Sequence, residues 1–246
     1  RLYDPRADRG PGPVVMFYHG GGFVIGDLES HHALCTTIAA ELDLPVVAVH
    51  YALAPENPFP ASDEDCIAAT RWVAENGLKL GREVTGLITM GDSAGGHLAL
   101  VVPQVLAKSP AKAPVIMQVP IYPATDESSD GSMAEFAEGY LLTKETMDWF
   151  MGCYGPQAGN PMAYPIHGEQ AGSPPTLLVT ASLDPLRDQG RRYAAALIAA
   201  GVECHFMEMK GSIHGFVNLR KAVPSAQADL LAILAQAKLM LGRISA

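Results

Sequence analysis

The chain has no apolar stretch of transmembrane length, no run of basic residues, no Cys-x-x-C pair and no G-x-G-x-x-G or G-K-[ST] pattern. Each absence removes a class of protein. Without about 20 consecutive apolar residues, a membrane-spanning helix is not expected. Lys and Arg number 17 against 26 Asp and Glu, a net charge of −9, which argues against nucleic acid or an anionic membrane as the main partner. Cys35, Cys66, Cys153 and Cys204 are widely spaced, so neither a metal site nor a redox pair is expected. Buried free thiols are the simpler reading, and they mildly favour a reducing, cytoplasmic setting. The chain begins with Arg1 rather than methionine, which leaves a signal peptide upstream open. Charged residues are only 17% of the chain and hydrophobic ones 48%, so a filled interior is expected rather than disorder. A chain of 246 residues suits one large domain, residues 1–246.

Short apolar runs bounded by turn residues alternate with helical patterns. Strands are expected at 14–18, 46–49, 87–90, 115–119, 176–180 and 202–209. Helices are expected at 31–42, at 63–76, after Ser93, at 188–200 and at 224–241, with Pro103 kinking or ending the third early. Such alternation implies an α/β fold, a mostly parallel central sheet with helices on both faces. Residues 125–168 break the rhythm with a polar stretch, one helical pattern at 145–151 and Gly- and Pro-rich turns. An insertion of that length between core strands reads as a lid or cap. An ordinary crossover helix with long loops is the alternative.

Gly91-Asp92-Ser93-Ala94-Gly95 lies between an apolar strand pattern and a helix pattern. On so sharp a turn a serine side chain stands clear of the backbone, and flanking glycines let strand and helix pass closely. A serine hydroxyl needs a base to take its proton, and the base needs an acid to fix its tautomer. Downstream of Ser93 stand His97, His167, His205 and His214. His97 is placed inside the following helix, His167 in the insertion and His205 in a strand, all positions that suit structural roles. His214 lies in a loop after a strand, between small neighbours, where a reactive imidazole is expected. For the acid, Asp184 leaves the carboxyl end of a strand, where open α/β sheets place functional loops. Asp188 falls where a helix begins and reads as a cap or dipole partner. His19-Gly20-Gly21-Gly22-Phe23 follows the strand at 14–18 and suits a loop whose backbone N–H groups meet an oxyanion.

Together these segments resemble the hormone-sensitive-lipase-like family of α/β-hydrolases, the bacterial family IV carboxylesterases. The match runs from His19-Gly20-Gly21-Gly22-Phe23 through 51–56 and 91–96. It continues through Ile121-Tyr122-Pro123, Asp184-Pro185-Leu186-Arg187-Asp188 and Ile213-His214-Gly215-Phe216, nearly the whole chain. The resemblance implies Ser93 as nucleophile, His214 as base and Asp184 as its orienter. It implies oxyanion donors at Gly21, Gly22 and Ala94, with His19 bracing the glycine loop. It further implies hydrolysis of short- to medium-chain acyl esters, a small-molecule substrate, no cofactor, no metal and a possible homodimer. A peptidase or amidase would use the same triad, and a non-catalytic small-ligand receptor would lack a working one.

Two departures from the family pattern stand out. The usual Asp-Tyr-Arg is His50-Tyr51-Ala52 here, so both charged members of an implied ion pair have changed together. Loss of both partners leaves no stranded charge, and a local stability effect is expected rather than a loss of chemistry. The resemblance also implies a helical N-terminal cap segment and an edge strand ahead of the glycine loop, whereas Arg1 stands close to that loop. Either upstream residues are missing or the cap is reduced and rests mainly on 125–168.

Overall fold

The computed structural model describes residues 1–129 and 131–244. Among the described residues, one seven-stranded sheet is formed by β1 (Leu2–Tyr3), β2 (Gly12–Tyr18), β3 (Val46–Val49), β4 (Val84–Asp92), β5 (Val115–Ile121), β6 (Thr176–Leu183) and β7 (Cys204–Ile213), in the spatial order β1-β3-β2-β4-β5-β6-β7. All neighbours run parallel except β1, which pairs antiparallel with β3. That two-residue edge strand is present where the sequence reading implied that the chain began without one.

The central strands read as unbroken apolar runs because both their faces are covered. Along β2, Val15 and Phe17 join the core beneath α1 (His32–Leu42) and α7 (Ala226–Ile244). Val14, Met16 and Tyr18 point the other way, into the core beneath α2 (Ala61–Glu75) and α3 (Ala94–Lys108). The period of two thus divides one strand between two cores. A third, smaller cluster joins Leu100 of α3 and Leu178 of β6 to Tyr193, Ala194 and Leu197 of α6 (Arg187–Ala199).

The helix α3 differs from the sequence expectation: it runs through Pro103 to Lys108. Proline removes the N–H that would have reached the Ala99 carbonyl four residues back. The buried Thr89 hydroxyl on β4 donates to that oxygen instead, at 2.8 Å. With its carbonyl satisfied, the helix continues.

Strand order positions the site. From β2 the chain crosses to β3 on one side and then to β4 on the other, so the carboxyl ends of β2 and β4 form a switch point with a crevice above it. Tyr18, the last residue of β2, pairs with Gly91, two residues before Ser93. Residues 122–175 leave the sheet between β5 and β6 and carry α4 (Ser132–Glu135), α5 (Lys144–Tyr154) and a 3-10 turn at Pro165–His167. Within this segment Asp130 lies outside the described residues. Among the described residues no helix is long and apolar enough to cross a membrane. The four cysteines are unpaired, and burial pushes the Cys35 thiol up to about 12 and Cys204 to about 11.

Candidate active site

Ser93 follows β4 with φ 56° and ψ −119°, a left-handed conformation that a side chain rarely adopts. Its own N–H donates to the Ile121 carbonyl at 2.9 Å, and its carbonyl accepts from the His97 N–H at 3.0 Å. The turn requires glycine on both sides. A Cβ on Gly95 would lie 1.9 Å from the Tyr18 carbonyl oxygen, and one on Gly91 would lie 2.3 Å from the Gly95 carbonyl oxygen.

The structure brings Ser93, His214 and Asp184 into one hydrogen-bonded chain. Leu183 of β6 pairs with Ile213 of β7, so the next residue of each strand emerges beside the other. His214 Nδ1 stands 2.7 Å from Asp184 Oδ2, and His214 Nε2 stands 2.8 Å from Ser93 Oγ. A carboxylate only accepts, so Nδ1 carries the proton and Nε2 is left to accept from the serine hydroxyl. Asp184 is fully buried, and its second oxygen accepts the Leu186 N–H at 2.8 Å. Tyr122 packs on the His214 ring with centroids 4.6 Å apart.

Gly21, Gly22 and Ala94 line the same cavity as Ser93 and His214. Among the described residues none of their three N–H groups donates to another protein group. The Ala94 N–H is an orphan donor at the first turn of α3. Behind the loop, the Tyr51 ring stacks on His19 at 4.2 Å and its hydroxyl donates to the His19 carbonyl at 2.6 Å. Burial pushes His19 down to about 4, so it is neutral at ordinary pH.

The remaining candidates stand outside this hydrogen-bonded chain, although His97 also lines the cavity. Asp188 lies in the first turn of α6, where its carboxylate accepts the Ser132 N–H and pairs with Arg187 and Arg191. His97 is buried, its two nitrogens facing the carbonyls of Ala124 and Met162 at 3.1 and 2.9 Å. His167 meets Glu127 at the surface, and His205 of β7 contacts Glu203 and Gln236. At the altered stretch, His50 is exposed and the Ala52 N–H donates to Asp65 at 2.9 Å.

The cavity above Ser93 has a volume of about 600 Å³. Its walls are mainly apolar and include Phe23, Met147, Phe150 and Met151. Phe150 of α5 lies directly over Gly22: a Cβ there would come within 2.3 Å of its ring. Phe23 stacks on Tyr154, also of α5, at 3.9 Å. The segment between β5 and β6 therefore packs on the glycine loop itself. Among the described residues no cluster of three or more His, Cys, Asp or Glu could hold a metal ion.

Sequence reasoning missed the groups behind these atoms. Asp92, next to the serine, accepts the Gly20 N–H at 3.0 Å and meets His31 Nε2 at 3.1 Å. Buried Asp63 accepts the Tyr154 hydroxyl at 2.7 Å. Asp92 left one signal, a carboxylate among small and apolar residues, whereas Asp63 left none, since it opens the acidic run Asp63-Glu64-Asp65.

A family profile described as an alpha/beta hydrolase fold matches residues 15–218. The chain is 40% identical over 237 residues to the esterase LipI of Mycobacterium tuberculosis, covering 92% of this chain and 73% of that protein. It is 36% identical over 241 residues to an ethyl acetate hydrolase of Pseudomonas putida, covering 95% and 76%. Among solved structures, a hyperthermophilic esterase from Pyrobaculum calidifontis superposes with a TM-score of 0.92 at 39% identity, covering 98% of this chain and 78% of the other. An α/β hydrolase enzyme from the Lake Arreo metagenome superposes equally well, with a TM-score of 0.92 at 38% identity over 98% and 78%. The chain belongs to the α/β-hydrolase family, within the hormone-sensitive-lipase-like group that its motifs resemble.

Proposed function

We propose that this chain is a serine carboxylesterase that hydrolyses short- to medium-chain acyl esters, with Ser93 as nucleophile, His214 as general base and Asp184 as its orienter. The observation that carries this reading is the unbroken hydrogen-bonded chain from Ser93 Oγ through the imidazole to Asp184 Oδ2. Ser93 Oγ attacks the ester carbonyl carbon as His214 Nε2 takes the hydroxyl proton. The carbonyl oxygen becomes an oxyanion held by the N–H groups of Gly21, Gly22 and Ala94, each such donor being worth about 3 kcal/mol in the transition state. His214 returns the proton to the departing alkoxide, leaving an acyl-serine. Water, deprotonated by the same imidazole, then attacks the acyl carbon, and the acid leaves as Ser93 regains its proton.

The cavity supports this substrate class. Its apolar walls suit hydrocarbon acyl or alcohol groups, and its volume of about 600 Å³ suits a small ester. Residues 125–168 serve in this reading as a cap, since Phe150 and Tyr154 cover the glycine loop.

The test is Ser93→Ala. It is expected to keep the fold, to lose hydrolysis of p-nitrophenyl butyrate by at least about a thousandfold, and to escape labelling by a fluorophosphonate. Turnover at the wild-type rate would overturn the assignment of the nucleophile. A profile across acyl chain lengths tests the substrate class, with activity expected to fall for long chains.

A further inference from the structure

Behind the glycine loop lies a second Asp–His pair that the hydrolytic steps do not use. Asp92 is the last residue of β4 and is joined by one peptide bond to Ser93. Its carboxylate is buried, yet it touches three further parts of the chain. Oδ1 accepts the N–H of Gly20 at 3.0 Å and lies 3.1 Å from Nε2 of His31, which stands at the N-terminus of α1. Oδ2 accepts from the side-chain amide of Asn218 at 3.3 Å. The Asn218 amide nitrogen is also 2.8 Å from His31 Nε2, and its backbone N–H donates to the Gly215 carbonyl at 3.0 Å. One carboxylate thus ties together the loop of the oxyanion donors, the turn of the nucleophile and the loop of the base.

The charge of this carboxylate matters as much as its bonds. Burial alone would drive Asp92 towards its neutral form, but His31 and the Gly20 N–H outweigh it and hold the group below the usual carboxylate range. Burial likewise disfavours a charged His31, and Asp92 outweighs it, so the imidazole is held above its ordinary value. An uncompensated anion one residue from Ser93 would oppose the negative charge that develops on the substrate oxygen. In its protonated state His31, favoured by Asp92, offsets it, and the Asn218 amide then turns its oxygen toward Nε2 to accept that proton.

Resting on the esterase reading above, we propose that His31 and Asn218 are positioning residues of this site. Through Asp92 they keep the glycine loop, the Ser93 turn and the His214 loop in one register, and His31 neutralises the carboxylate beside the oxyanion. Other titratable groups face this pair. His19 from the glycine loop lies 5.5 Å from the His31 ring, and Asp27 approaches from the loop before α1. Cys35 of α1 and Tyr122 after β5 face Asp92. His19 is pushed down to about 4, the Cys35 thiol up to about 12, Tyr122 above its usual range and Asp27 below its own. Within the cluster, His31 is then the group left to titrate between weakly acid and alkaline pH.

The experiment follows kcat, KM and their pH profiles with p-nitrophenyl butyrate in the wild type, His31→Gln and Asn218→Ala. Glutamine can still donate to Asp92 but carries no charge. It is expected to lower kcat roughly tenfold near neutral pH with KM within about twofold. It should also remove the alkaline fall in kcat that is expected of the wild type. Asn218 is exposed, so its alanine variant is expected to fold normally and still lose kcat severalfold. The rate of Ser93 labelling by a fluorophosphonate should fall in parallel in both variants. If both variants keep wild-type kcat, or if His31→Gln keeps the alkaline limb, the proposal is overturned while the esterase reading stands. If the wild type neither hydrolyses the ester nor reacts with the phosphonate, both readings fall together.

Discussion

Ser93 occupies a backbone conformation that costs about 1–3 kcal/mol, and its neighbours are chosen so that nothing else is added to that cost. Gly95 is the sharpest case, because a single methyl group there would meet the Tyr18 carbonyl oxygen at 1.9 Å. Both atoms at that contact belong to rigid backbone, of α3 and β2, so neither can rotate away. Gly95→Ala is therefore expected to destabilise the protein by more than about 3 kcal/mol, read as a lowered urea midpoint or as insoluble expression. A soluble variant with an unchanged midpoint would show that the turn has slack. This residue was legible in the sequence because steric need leaves a residue type behind. Asp184 was legible because it follows an apolar run that had to be a strand, and His214 because it stands among small residues after a strand-like pattern. His31 and Asn218 left no such mark. They are 187 residues apart in sequence, and only the folded sheet makes them neighbours.

At the scale of elements, the strands were readable because burial on both faces leaves continuous apolar runs, as at Val14 to Tyr18. The course of α3 was not. A proline inside a helix pattern signals a break only if the freed carbonyl stays unsatisfied, and here the satisfying group comes from another element. Thr89 on β4 donates to Ala99 and stands in for the lost N–H. Thr89→Val keeps the shape but removes the donor, leaving a fully buried carbonyl without a partner. The expected cost is about 1–3 kcal/mol in urea-induced unfolding. The same substitution in a Pro103→Ala background is expected to cost less, because alanine restores the intrahelical donor to Ala99. Equal losses in the two backgrounds would show that Thr89 contributes through packing alone. The segment between β5 and β6 was legible as an insertion by its polarity and turns. Its contacts with the glycine loop were not, since Phe150 over Gly22 and Tyr154 on Phe23 join surfaces distant in sequence.

For the whole molecule, pH acts through a few buried groups rather than through the net charge of −9. His19 is buried and neutral, held at about 4 against an ordinary 6.5. Between those values the unfolded chain binds a proton that the folded one refuses, so stability falls as pH drops from about 6.5 to 4, by up to ~3 kcal/mol. Below the ordinary carboxylate value of 3.8 a second loss begins. Burial opposes ionisation of Asp92 and Asp126, but His31 and Arg192 respectively outweigh it, while Arg187 holds Asp188 ionised. Each of these carboxylates is lowered in the folded state, so its contribution is present above 3.8 and disappears as pH falls through the lowered value. His31 has the opposite sign. Although burial opposes its charge, Asp92 raises it above 6.5, so its contribution is complete below 6.5 and is lost as pH rises through the raised value. Stability should therefore be greatest near neutrality and decline in both directions. Urea midpoints at pH 5, 7 and 9 check this, with the highest midpoint expected at pH 7. His31→Gln should flatten the alkaline decline and leave the decline between pH 7 and 5, because buried His19 still titrates there. An alkaline decline that survives this substitution would assign it to a group outside the Asp92–His31 pair.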